Sequence, residues 1–310
     1  MRALARICLG LLLVLVPAAR ASADSPAPGR ILFIKDGDLW LLDGSGPQQL
    51  ATGGTFSQPS WAPDGSSLAY VYRGTNFADI FLTDDQGQNQ ARLTNSQSTV
   101  LDNDDWNLRP AYSPDGQSIA FVSDRNSAFP TLWLINADGT NRRALATPGL
   151  EVQDVDALSW SPDGTQLAFT MFNEPGPTQI GILSLPAGGR QQGRALTAQA
   201  GGALDPAWSP DGNWLAFAGH NGLAVEIYAM QPGDADSVPR RLTGDGLLAR
   251  SPVWSPDGQH IAYLSNKTGY FEIYEIDVSP DSSGTLVASP PRQLTKDLHL
   301  DAASGLSWGP

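Results

Sequence analysis

The chain is 310 residues long, 41% hydrophobic and 16% charged, with a formal net charge of −13. A surface of that sign repels phosphate backbones and anionic lipid, which argues against nucleic acid as a partner. With 32 glycines, 24 prolines and one cysteine, the composition suits short strands joined by many turns, and it leaves no disulfide framework.

In chain order, the first six residues carry Arg2 and Arg6, residues 7–16 form an apolar run, and Ala21-Ser22-Ala23 is a small-x-small pattern. Such a run is too short to span a bilayer and reads as part of a secretory signal peptide over residues 1–23. Cys8 lies inside it, and loss of Arg2, Arg6 and Arg20 would leave 16 basic residues against 32 acidic ones. The expectation is an exported protein, periplasmic or extracellular. It should be monomeric, with no membrane insertion once the signal is cleaved. Residues 24–29 read as a linker, and residues 30–310 as one domain.

From Arg30 the pattern is all strand. Ile31–Ile34, Asp38–Leu42 and Gln48–Ala51 make three strands without a partner before them. Then Trp61-Ala62-Pro63-Asp64-Gly65 begins a motif that returns at Tyr112, Trp160, Trp208 and Trp254, at intervals of 51, 48, 48 and 46 residues. A self-similar period of this length is the mark of a repeat architecture. In Ser-Pro-Asp-Gly, Pro presets φ, Asp tolerates the third position and Gly takes a left-handed one, so the unit is a hairpin turn. Each turn is followed by an aliphatic residue, Ala and an aromatic (Leu167, Ala168, Phe169). Period-two alternation gives a sheet with one bulky and one small face, which stacks on copies of itself. Third strands such as Ile80-Phe81-Leu82 and fourth strands such as Arg241-Leu242-Thr243 complete each unit. Trp308 falls 54 residues after Trp254, so Gly305–Pro310 is a first strand in phase with the series. It supplies what Ile31–Ile34 lacks, and one blade is shared between the two ends of the chain.

Trp-Ser-Pro-Asp-Gly-x-x-Ile-Ala-Phe, then Ile-Tyr, then Arg-x-Leu-Thr, resembles the WD-like repeat of the TolB-like six-bladed β-propellers over residues 30–310. The resemblance implies an all-β, six-bladed β-propeller. TolB itself places a separate α/β domain before its propeller, and no composition shift marks one here. Its envelope role is therefore not expected to carry over whole. Related propellers serve as gating domains of peptidases, and one group are metal-dependent lyases.

Gly305-Leu306-Ser307-Trp308-Gly309 matches G-x-S-x-G, but that elbow needs a strand-to-helix turn and a later His, so no catalytic residue is expected. His260 follows a turn, at the opposite end of its blade from His220 and His299. A metal-dependent lyase or hydrolase, the alternative reading, would centre on His220, His299 and the Asp cluster, yet two imidazoles without repeated spacing fall short of such a centre. Asp102-Asn103-Asp104-Asp105 opens like a calcium loop, but Trp106, Asn107 and Ser113 occupy positions where an EF-hand needs other residues. No cofactor is expected, although a cation at the channel mouth fits this oxygen-rich stretch.

Variable loops on a rigid scaffold are where binding is usually found. The fourth-to-first and second-to-third connections share the face opposite the Pro-Asp-Gly turns. They bring Asp104, Asp105, Trp106, Arg109, Arg125, Asp156, Asp205, Arg250 and Asp301 to one rim, with Glu151, Asp154 and Phe172 beside them. These are the expected ligand-binding residues of a non-enzymatic interaction module. Its ligand would be a protein segment, a saccharide or a cationic group.

Overall fold

The computed structural model describes residues 29–96, 105–173, 175–234, 237–244 and 248–310. The expected signal peptide, nearly all of the linker, and Asp102 and Asp104 lie outside the described residues. Six antiparallel sheets follow one another around an axis, and no helix occurs among the described residues. Blade 1 contains β1 (Arg30–Lys35), β2 (Asp38–Asp43) and β3 (Gly46–Ala51). Blade 2 is β4 (Phe56–Trp61), β5 (Ser67–Arg73), β6 (Ala78–Asp84) and β7 (Ala91–Arg92). Blade 3 is β8 (Asn107–Tyr112), β9 (Ser118–Ser123), β10 (Thr131–Asn136) and β11 (Arg143–Ala144). Blade 4 is β12 (Asp154–Trp160), β13 (Gln166–Phe172), β14 (Gln179–Ser184) and β15 (Gln192–Ala195). Blade 5 is β16 (Ala203–Trp208), β17 (Leu215–Asn221), β18 (Ala224–Met230) and β19 (Arg240–Arg241). Blade 6 is β20 (Ala249–Trp254), β21 (His260–Ser265), β22 (Glu272–Pro280), β23 (Leu286–Ala288) and β24 (Arg292–Gln293). The inner strand of blade 1 is β25 (Ser307–Gly309), which pairs with β1 through Ile31 opposite Trp308.

The repeated turn is held by its own side chains. In blade 3, the Gly116 N–H donates to the Ser113 carbonyl at 2.8 Å, and the Ser113 hydroxyl donates to Asp115 at 2.6 Å. The Gln117 N–H closes on the same carboxylate at 3.0 Å. The hydroxyl of Ser113, then the amide of Gln117, hold Asp115 below the usual carboxylate range. Gly65, Gly116, Gly164, Gly212 and Gly258 all adopt the left-handed conformation the turn requires, with φ of 68–73°.

Blades pack small face against bulky face. Ala69 lies with Ile119 and Phe121, Ala120 with Leu167 and Phe169, and Ala168 with Leu215 and Phe217, all fully buried. Ala216 meets Ile261 and Tyr263, and Ala262 meets Ile31 and Phe33. The Leu-Thr pair of the fourth strand also has a structural task. Thr94, Thr197, Thr243 and Thr295 each accept the N–H of the third strand's Ile at 2.9–3.0 Å. Their hydroxyls donate to Asp79, Gln179, Glu226 and Glu272 respectively, so the buried carboxylates among them have partners.

Arg30 fastens the closure. Its Nε donates to the Pro310 carbonyl at 2.8 Å and Nη2 to that of Gly65 at 2.9 Å, while the guanidinium lies 4.4 Å from the Trp61 ring centroid. Blade 6 departs from the repeat: β22 runs to nine residues, and β23 pairs with its extension.

Candidate functional site: the channel mouth

The six inner strands enclose a channel cavity of about 430 Å³. Its wall carries the small residues that precede each repeat aromatic. Ser60, Ser159 and Ser307 accept the N–H of Tyr112, Trp208 and Trp61 in the neighbouring blade at 3.5, 3.1 and 3.0 Å. Ser307 is therefore a strand residue with a structural partner, and no elbow surrounds it.

At the loop-rich mouth five of the six inner strands kink. The pairing register shifts between Ser57 and Ser60, Leu108 and Ala111, Asp156 and Leu158, Leu204 and Ala207, and Arg250 and Val253. These are β-bulges, which bend a strand and re-aim a side chain. Three residues before each repeat aromatic the backbone turns left-handed, at Gln58, Arg109, Ala157, Asp205, Ser251 and Gly305, with φ between 25° and 75°. Only the last is glycine, and each of the others holds strain on the order of 1 kcal/mol or more. Pro59, Pro110, Pro206 and Pro252 follow four of them and present no N–H that would need a partner. Four of the donors at these positions are met from outside their own sheet. The Gln58 N–H reaches the Ser304 carbonyl at 2.8 Å, and the Arg109 N–H reaches Gln58 Oε1 at 2.8 Å. Asp205 N–H reaches Thr170 Oγ1, and Ser251 N–H reaches Asp205 Oδ2, both at 3.1 Å.

Two ion pairs stand on this ring. Arg109 holds Asp156 bidentately, at 2.7 and 3.0 Å, and Arg250 Nε holds Asp205 at 2.9 Å. Burial opposes ionisation of Asp156, but the charge and hydrogen bonds of Arg109 prevail and hold its carboxyl below the usual range. Burial likewise works against the Arg109 charge, and Asp156, with Asp205 behind it, raises Arg109 above its ordinary value.

The expected site residues thus divide. Arg109, Asp156, Asp205 and Arg250 meet at the channel mouth. Asp105, Trp106 and Arg125 sit where blades 2 and 3 adjoin: Arg125 pairs with Asp105 at 2.8 Å, and Trp106 bridges Ala78. Asp301 is exposed and caps its own turn through the Ala303 N–H at 2.9 Å. Asp104 lies outside the described residues. Arg109, Arg125 and Arg250 are each engaged with one of the expected aspartates. Asp154, beside them, is pushed up by burial and by the Asp156 charge. Gln58 and Ser251 belong to the ring although sequence reasoning passed over them. Their signal was positional, three residues before the repeat aromatic and just before Pro.

The imidazoles proposed for a metal enzyme do not converge. His299 stacks on Tyr270 at 3.9 Å, and no group of three metal-ligating side chains forms around it or His220 among the described residues. The group that does form is His260, Glu275 and Asp277, on the turn side of blade 6.

The model of the TolB beta propeller domain matches residues 131–290, just over half of the chain. The chain belongs to the TolB β-propeller family. A solved TolB from Acinetobacter baumannii superposes with a TM-score of 0.71 at 20% identity, covering 92% of this chain and 68% of that one. At that identity the likeness shows the fold alone. The Tol-Pal system protein TolB of Alcanivorax borkumensis is 32% identical over 78 residues, which are 25% of this chain and 17% of that protein. An uncharacterized peptidase, YuxL, of Bacillus subtilis is 27% identical over 121 residues, 37% of this chain and 17% of its own. This TolB-family chain therefore spans under a fifth of the length of the curated relatives it matches.

Proposed function

We propose that this TolB-like propeller is an exported, non-enzymatic binding module that takes a protein segment at the channel mouth. The carrying observation is the ring of left-handed, non-glycine bulge residues bearing the Arg109–Asp156 and Arg250–Asp205 pairs. Strain kept at one end of a regular scaffold, with polar groups aimed into a cavity, suits a binding site. An extended peptide offers alternating backbone donors and acceptors, which Gln58, Ser251 and the two ion pairs can meet. Saccharides and cationic ligands meet the same groups and are the competing outcomes. Export is supported by the leader pattern of residues 1–23, and the family supports a binding role.

The test uses Ser251→Cys carrying a photo-crosslinker, since Cys8 is the sole native thiol and lies in the leader. Ser283→Cys, on an exposed turn of blade 6, serves as control. A peptide or protein adduct identified at position 251 and absent at 283, and lost with Arg250→Ala, supports the reading. Equal labelling at both positions, or capture of glycan alone, overturns it.

A further inference from the structure

Blade 6 breaks the repeat in one place where every other blade keeps it. The third-strand position occupied by Leu41, Leu82, Leu134, Ile182 and Ala229 is Glu275 in blade 6, with its side chain 0% exposed. A carboxylate in an aliphatic slot loses its hydration and needs a compensating role. Arg292 beside it does not supply the reason. The same fourth-strand position is Arg143, Arg194 and Arg240 in blades whose third strand keeps Leu134, Ile182 and Ala229 opposite. The arginine belongs to the repeat; the glutamate is particular to blade 6.

Two further departures surround it. His260 stands where blades 1–5 have Arg30, Ser67, Ser118, Gln166 and Trp214, and it faces Asp277 directly across the strand pair. Asp277 and Glu275 are two residues apart on one strand, so both share a face with His260. Asp277 is also fixed from behind: its N–H donates to Ser289 Oγ, and the Ser289 N–H returns to its carbonyl, both at 2.9 Å. The β22–β23 extension that provides Ser289 is absent from the other sheets.

From this we infer that His260, Glu275 and Asp277 form a binding site for a divalent transition-metal ion of the zinc type. His260 Nδ1 lies 2.8 Å from Asp277 Oδ1 and 3.6 Å from Glu275 Oε1, and the three donor atoms all fall within 4.8 Å of one another. A tetrahedral ion with bonds of about 2.0–2.1 Å holds its donors about 3.3 Å apart, between those two separations. One imidazole and two carboxylates are the donor set such an ion takes, with a fourth position for water. Exposure is graded: Glu275 at 0%, His260 at 20% and Asp277 at 66%, so the ion enters from the Asp277 side. Arg292 holds the Glu275 carboxylate, which retains lone pairs for a metal. Asp257 of the adjoining turn adds another carboxylate near His260. Among the described residues no other group of three such donors comes this close.

The test is zinc titration of chelator-treated protein by calorimetry and thermal melting. Expected is one equivalent of Zn²⁺ bound with a rise in Tm, at least tenfold weaker in His260→Ala and in Asp277→Asn, and unchanged in a His220→Ala, His299→Ala double variant. Glu275→Leu restores the residue type of blades 1–3; it should lose zinc affinity without a lower metal-free Tm. Anomalous density at the zinc edge should lie between the three side chains. Equal affinity in wild type, His260→Ala and Asp277→Asn, or no uptake by the wild type, overturns the assignment. So does loss of binding in the His220, His299 variant.

Discussion

The two ends of this propeller use the same residue type in opposite ways. On the turn face, Asp115, Asp163, Asp211 and Asp257 each satisfy the Ser hydroxyl and the backbone of their own turn. At the channel mouth, Asp156 and Asp205 reach across to arginines of other blades. The first arrangement is repeated because each blade needs it. The second is irregular, and two pairs of blades carry it. Repetition specifies packing, and departures from it mark places where packing alone does not choose the residue.

The largest effect is expected at the seam where repeat and ring meet. Deleting residues 305–310 removes β25, the left-handed Gly305 and the Arg30–Pro310 bond together. It should produce the largest loss of Tm and a broadened calorimetric transition. The single change Trp308→Ala should cost about 3–5 kcal/mol in denaturant melts, as large aromatic truncations in cores do. A truncated chain that melts with unchanged Tm and cooperativity would refute closure.

Next is the buried strand pairing beneath both faces. Thr243→Val deprives the Ile227 N–H and Glu226 of their shared hydroxyl partner. Leaving the buried Ile227 N–H unmet should cost about 1–3 kcal/mol. The turn glycines come below it. Gly164→Ala meets only Pro114 Cδ at 3.8 Å, so the left-handed backbone alone is penalised, at about 1 kcal/mol. Gly65→Ala should lose more, because a Cβ there would lie 2.9 Å from Arg30 Nη2 and from Pro310 Cγ. Equal losses at positions 65 and 164, which the turn geometry alone would treat alike, would show that the seam is slack.

The smallest effect has a sign that separates the two mouth aspartates. Asp156 is held low in the folded state, so its contribution is present above the unfolded carboxylate pKa, near 3.9, and is lost as pH falls through the lower folded value. Asp154 is raised, so its ionised form opposes folding at neutral pH and that penalty fades as pH falls through its folded value. Asp154→Asn should therefore leave stability at pH 7 unchanged or slightly higher, whereas Asp156→Asn lowers it. Melts of both variants between pH 3 and 7 decide the point.

Much of the fold was legible because the repeat states its own geometry. The turn type, the alternation of Leu167, Ala168 and Phe169, and the phase of Trp308 each follow from residue chemistry within one unit. The bulges were harder, since nothing in Gln58 or Arg109 as a residue type asks for a left-handed backbone. Only their shared place before Pro and the repeat aromatic shows it. Charge placement was half readable: loop phase carried Arg109, Asp156, Asp205 and Arg250 to one end, but which carboxylate each arginine would take depended on contacts between blades. Glu275 was visible in the third strand, and its oddity appears only once that strand is laid on the other five.

The seam has a further consequence for how the molecule comes to exist. Arg30 and Gly309 are paired neighbours, yet nearly the whole chain lies between them. Local hairpins can form as soon as their own residues are available, whereas this pairing carries the entropy of closing the longest loop in the fold. Until β25 arrives, Ile31 and Leu32 lie on an open strand edge, the kind of surface that pairs with another chain. A second copy can offer the same β25. Any variant that slows or loosens the last blade should thus give exchanged dimers at high concentration before it gives unfolded monomer.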